Sequence, residues 1–169
     1  MNILPNTLTH LRLANALSLG ILPPSLQHLK FYNKHRIELT QFPPKLTHLS
    51  YKIFSPQLYN AVLPNTLTHL VLRSERVPSS DFFPHNLRHL KLVGITSLHT
   101  SPLSYTLPSL THVKFGGDFN EPVDFLPHSI TYLDLGGSFN QPVDNLPLSL
   151  KKITFSTSFN PMLTTSHPL

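Results

Sequence analysis

The sequence predicts a β-rich solenoid, and three observations predict it. A Leu-x-x-His-Leu/Val-x-apolar segment recurs six times, starting at Leu8, Leu26, Leu46, Leu67, Leu87 and Leu110. Two further copies, from Ile130 and Leu150, keep the apolar frame and put Tyr132 and Lys152 where the histidine stood. The copies follow one another at steps of 18, 20, 21, 20, 23, 20 and 20 residues. A fixed period of this size marks coils that cannot bury their apolar side alone and do so by stacking.

The elements follow in order. Each copy alternates polar and apolar residues, the period of a half-buried strand. This places eight short strands at residues 10–13, 28–31, 48–51, 69–72, 89–92, 112–115, 132–135 and 152–155. The inward pairs are Leu11 and Leu13, Leu29 and Phe31, Leu49 and Tyr51, Leu70 and Leu72, then Leu90 and Leu92. Val113 and Phe115, Leu133 and Leu135, and Ile153 and Phe155 complete the set. In the seventh unit Tyr132 and Asp134 point outward, and Gly136–Gly137 ends the strand, as Gly116–Gly117 does one unit earlier.

Ahead of the strands, Leu4, Leu22, Phe42, Leu63, Phe83, Leu107, Leu126 and Leu146 are read as one stacked row, each followed directly by a proline. Connections of about sixteen residues with several prolines and little helical periodicity predict a far side of loops or 3₁₀ turns. The expected whole is a right-handed coil with one parallel sheet. Its weakest joint is between the fifth and sixth units. There Leu107-Pro108-Ser109-Leu110 is one residue short, and a bulged loop is expected near His99–Tyr105.

The 169 residues form one repeat domain, 1–169, with 161–169 as a tail able to fold over the last coil. Charged residues are only 12% of the chain, and the net charge of +5 is uneven. Residues 1–100 hold ten Lys/Arg against three acids, a balance of +7; residues 101–169 hold three against five, a balance of −2. The basic half suits an acidic partner and is too dilute for a nucleic-acid footprint. The absence of cysteine excludes disulfides and zinc–thiolate sites. With no apolar run of about 20 residues and no signal-like N-terminus, a cytoplasmic protein with no membrane partner is expected.

The Leu-x-x-Leu-x-Leu frame is that of leucine-rich repeats. Phe119–Asn120, Phe139–Asn140 and Phe159–Asn160 follow the last three strands, and two continue as Asn-Glu-Pro-Val-Asp and Asn-Gln-Pro-Val-Asp. Here the chain resembles the FNIP repeat family, whose pattern is Leu-Pro-x-Ser-Leu-x-x-Leu-x-Leu-Gly-x-x-Phe-Asn-x-Pro-Ile/Val. Residues 107–160 match it closely, and residues 4–106 keep only its Leu-Pro-x-x-Leu-x-x-Leu half. The resemblance implies repeats like those of social amoebae and amoeba-infecting giant viruses. These often lie beside an F-box, which is not read ahead of the first repeat at Leu4. It implies no catalysis, and hence interaction.

The residues suggest the same. His10, His28, His48, His69, His89 and His112 occupy one strand position and should stack as a ladder on the outward face. Arg12, Lys30, Ser50, Val71, Lys91, Lys114, Asp134 and Thr154 form the neighbouring row. The expected partner-binding face is therefore Arg12, His28, Lys30, His48, His69, His89, Lys91, His112, Lys114 and Tyr132, holding a protein partner of unknown identity. No catalytic residues, cofactor or metal are expected, since no nucleophile elbow, phosphate loop or His-Glu-x-x-His occurs. Two alternatives stand beside this: a decaying repeat fragment without a dedicated ligand, and a histidine-ladder metal site lacking the usual carboxylates. The phenylalanine–asparagine pairs are read as structure, a stacked convex-side spine and a set of turn bonds. The strand edge near His10–Leu13 and the uncovered Leu4, Leu8 and Leu11 predict either end-to-end association through the N-terminal coil or a further N-terminal segment in the natural protein.

Overall fold

A computed structural model describes residues 4–14, 21–31, 41–52, 62–75, 80–95, 107–124 and 126–160. Eight strands carry the fold: β1 (His10–Leu13), β2 (His28–Phe31), β3 (His48–Lys52), β4 (His69–Arg73), β5 (His89–Val93), β6 (His112–Phe115), β7 (Tyr132–Asp134) and β8 (Lys152–Thr154). Every strand begins at its expected residue. They form one sheet in chain order, and each neighbouring pair is parallel. The register puts His10, His28, His48, His69, His89, His112, Tyr132 and Lys152 opposite one another across the whole sheet. Among the described residues the only helical turn is the 3₁₀ turn Ser80–Phe82. No helix there is long and apolar enough to cross a membrane.

The approach to each strand is a tight turn written by Leu/Phe-Pro. The carbonyls of Pro5, Pro23, Pro43, Pro64, Pro84, Pro127 and Pro147 each accept the N–H of the residue three positions on, at 3.0–3.2 Å. The sixth unit keeps the bond and changes the residue: Leu110 N–H donates to the Leu107 carbonyl at 3.1 Å. Leu107 thus takes the proline's place in the turn and is buried, as Leu63 and Phe83 are. Next, one carbonyl per coil takes two donors. Thr9 O accepts both Gln27 and His28 N–H at 2.9 Å, and the carbonyls of Gln27, Thr47, Thr68, Arg88, Thr111 and Thr131 repeat the pattern. Serine and threonine hydroxyls lash the coils further: Ser25 donates to Leu8 O at 2.7 Å, Thr66 to Leu46 O at 2.8 Å, and Ser129 to Leu110 O at 2.6 Å.

Inside, the rows are continuous. Leu26, Leu46, Leu67, Leu87, Leu110 and Ile130 are all at 0% exposure. Burial of each such side chain stabilises by roughly 1.5–3 kcal/mol. The first and last coils are less covered: Leu8, Leu11, Leu13, Leu150, Ile153 and Phe155 are only partly buried. The phenylalanine spine forms as read, inside the coils. Phe119, Phe139 and Phe159 stack at 6.0 and 5.9 Å, with Phe119 flat on Phe115 at 3.8 Å and Phe159 flat on Phe155 at 3.9 Å. Asn120 Oδ1 accepts the Asn140 N–H at 2.8 Å, and Asn140 Oδ1 that of Asn160 at 3.0 Å.

Two spacings reveal the curvature. Parallel strands lie about 4.8 Å apart. The histidine rings on the outward face are 4.0–4.2 Å apart, whereas successive spine phenylalanines are 5.9–6.0 Å apart. Where one pair of coils carries both, the sixth and seventh, the spacing is 5.5 Å at His112–Tyr132 and 6.0 Å at Phe119–Phe139, so the coils narrow towards the outward sheet face and that face is concave.

β7 and β8 stop one residue short of expectation, while β3, β4 and β5 run one longer. At β7 the reason is Gly136, whose φ of +75° turns the chain out of the strand. The expected bulge at His99–Tyr105 and the tail 161–169 lie outside the described residues.

Candidate functional site

Strand alternation puts the histidines outward, and their neighbours fix the rings. In four units the residue before the histidine is threonine, and its hydroxyl meets the ring Nδ1 at 2.9 Å: Thr9–His10, Thr47–His48, Thr68–His69 and Thr111–His112. Held this way, the six imidazoles stack nearly parallel, with planes 8–28° apart. Tyr132 extends the column at 5.5 Å, and the Lys152 ammonium lies 5.4 Å from the Tyr132 ring centre. The result is seven aromatic rings in one line across β1–β7.

Such a column resists charge. Burial, then the neighbouring imidazoles, lower the pKa of His28, His48, His69 and His89 below the ordinary 6.5; at His89 the Arg88 guanidinium adds to this. The effect is strongest at the centre, where His69 is lowered to about 4. At neutral pH the neutral form of these four rings is therefore favoured.

The geometry also bears on metal binding. Zinc needs ligand lone pairs that converge on a point about 2.0–2.1 Å from each nitrogen. Four of the rings have Nδ1 already met by a threonine hydroxyl, and rings stacked this nearly parallel do not face a common point. Among the described residues no group of three or more His, Asp or Glu side chains gathers to hold an ion.

Beside the column runs the row Arg12, Lys30, Ser50, Val71, Lys91 and Lys114, in register across β1–β6. The two ends of this row differ. Lys114 donates to Asp134 on β7, and that hydrogen bond is the main reason its pKa is raised. Asp134 also accepts the Gly136 N–H at 3.2 Å. The sequence placed Asp134 outward, and it is; but Lys114 and the turn cover it to 8% exposure. Towards the N-terminus, Arg73 Nη1 donates to Ser50 Oγ at 2.8 Å, reaching across from β4 to β3.

All ten expected face residues come together on this concave sheet, in two adjoining open depressions. One spans β1–β5 and holds Arg12, Lys30, Ser50, Arg73 and Lys91 beside the first four histidines. The other spans β4–β7, from His69 to Tyr132, and holds Lys91 and Lys114. Arg73 and the ring-tethering threonines were not singled out from sequence. Two signals were available: Arg73 lies two residues beyond Val71 on the same face, and Leu-Thr-His recurs four times.

The FNIP Repeat family pattern matches residues 106–138 and again 122–158. No curated protein matches the chain. Among solved structures it is similar to CroV588, a giant-virus protein described as a novel circular LRR protein, with TM-score 0.72 and 30% identity. That match covers 95% of this chain and 29% of the other, so the chain spans less than a third of its relative's length. It is also similar to YopM from Yersinia enterocolitica WA-314, with TM-score 0.45 and 22% identity, over 89% of this chain and 42% of that one.

Proposed function

We propose that this chain, which carries FNIP repeats over residues 106–158 of a leucine-rich-repeat-like solenoid, is a cytoplasmic protein-interaction module that presents its concave sheet to a partner protein. Folds of this kind are commonly interaction scaffolds, because stacked coils make an extended concave surface. One observation carries the reading: an unbroken column of seven aromatic rings flanked by cations, built in register from seven successive coils. The depressions over this column are open and elongated, a shape suited to a polypeptide. Site-specific photo-crosslinking tests the proposal. A crosslinker at Val71, on the concave face, should capture a defined protein from amoebal extract. One at Leu148, fully exposed on the turn before β8, should not. Equal capture from both positions would overturn the reading.

A second reading is favoured by β1. Among the described residues it has one hydrogen-bonded neighbour, β2, and its Leu11 and Leu13 are only partly buried where their counterparts in β4 and β5 are fully buried. That edge would accept a strand from a second copy. Light scattering over a concentration series should then show mass rising with concentration; a constant monomer mass would refute it.

A further inference from the structure

We propose that the concave groove over β1–β5 binds an extended, carboxylate-rich segment of the partner protein, lying along the solenoid axis with its acidic side chains on Arg12, Arg73 and Lys91 and its backbone against the histidine column. This deepens the reading of the concave sheet as the interaction face and rests on it.

Charge complementarity carries the proposal. Every charged residue lining this depression is a cation; among the described residues it contains no Asp or Glu. The neighbouring depression is different, because Asp134 already engages Lys114. The anion-seeking surface therefore ends near β5. Arg73 adds direction: one of its N–H groups is held by Ser50, and a guanidinium has five donors, so the others remain for a ligand in a fixed orientation. The row thins at Ser50 and Val71, and Arg73 fills that gap from two residues further along its strand.

The dimensions fit a peptide. From Arg12 on β1 to Lys91 on β5 there are four strand intervals, about 19 Å. An extended chain of about six residues covers that length. The column is chemically suitable, because neutral imidazoles offer hydrogen-bonding edges without repelling the cations beside them. A nucleic acid fits less well. Binding of single strands uses aromatic faces as platforms for bases. Here the faces of His28, His48, His69 and His89 are each occupied by the next ring on both sides, leaving only edges.

Fluorescence anisotropy with labelled oligoglutamate of about ten residues, enough to overrun the groove, tests the proposal, alongside oligoglutamine and oligothymidylate of equal length. Oligoglutamate should bind, more weakly as salt rises, and oligoglutamine should not. Arg12→Glu/Lys91→Glu should lose about tenfold or more in affinity. Lys45→Glu/Lys151→Glu makes the same charge change away from the groove and should lose less than about twofold. Arg73→Glu, a single change, should weaken binding too, and circular dichroism verifies that each variant folds. Equal losses in the two double variants would reduce the effect to net charge and overturn the proposal. So would equal binding of oligoglutamine, or tighter binding of oligothymidylate. If crosslinks from Val71 persist without oligoglutamate binding, the concave face stands as the interaction surface and its acidic partner falls.

Discussion

Gly136 shows how much a single residue decides. Its φ of +75° is readily adopted by glycine and strained for other residues, and a Cβ added there would lie 2.1 Å from the Gly116 carbonyl oxygen. Backbone cannot retreat as a flexible side chain can. Gly136→Ala is therefore expected to destabilise by about 1–3 kcal/mol or more in urea unfolding. Gly117→Ala is the control, because a Cβ there meets nothing within 4 Å; it should change stability by less than about 0.5 kcal/mol. Equal effects would place the constraint elsewhere. The double glycines were legible in the sequence as strand ends. Which glycine of each pair is indispensable was not, because that depends on the close approach of the preceding coil. Asp134 teaches the same lesson: alternation gave its face, but its burial comes from Lys114, twenty residues away.

At the scale of elements, the strands were legible to the residue at their starts, because a strand's inward positions must match those of both neighbours and eight copies reinforce one register. The turns were legible through proline. The sixth turn was misaligned by one position, because the Leu107 carbonyl can make the same bond as a proline's and no side-chain pattern reports it. The phenylalanine spine and asparagine bonds of the last coils were read correctly as structure, and they differ in expected weight. Phe139 is fully buried between Phe119 and Phe159, so Phe139→Ala should cost about 3–5 kcal/mol. Asn140→Ala removes one exposed acceptor from the Asn160 N–H and should cost only about 0.5–1.5 kcal/mol. Chemical denaturation of the two variants checks this ordering; a costlier Asn140→Ala would mean that the asparagine ladder, and not the spine, holds these coils in stack. The threonine tethers of the histidines went unread because a threonine beside a surface position has many uses, and only the fixed ring geometry selects one.

At the scale of the whole molecule the histidine column ties six successive coils together on the concave face, so its protonation is a property of β1–β6 jointly. The sign of the linkage is fixed by the direction of the shifts. His28, His48, His69 and His89 have folded-state pKa values below 6.5, with His69 at about 4. In the unfolded chain they return to about 6.5. Between those limits the unfolded state binds protons that the folded state refuses, so stability falls as pH falls. The stability held at neutral pH should be lost progressively from about pH 6.5 towards 4, with a slope of at most about 1.4 kcal/mol per pH unit for each histidine involved. Partial exposure of the rings screens their mutual repulsion and keeps the observed slope below that ceiling. The repeat itself supplies the control, since the seventh coil seats Tyr132 in the same column. His48→Tyr/His69→Tyr keeps an aromatic ring at each level and removes two proton acceptors, including the central one. Thermal unfolding from pH 7.5 to 4.5 should show the wild-type midpoint dropping more steeply than that of the double variant. Superimposable pH profiles, or a wild-type protein that gains stability on acidification, would mean that the column is free to charge in the folded state and that its stacking does not depend on neutrality.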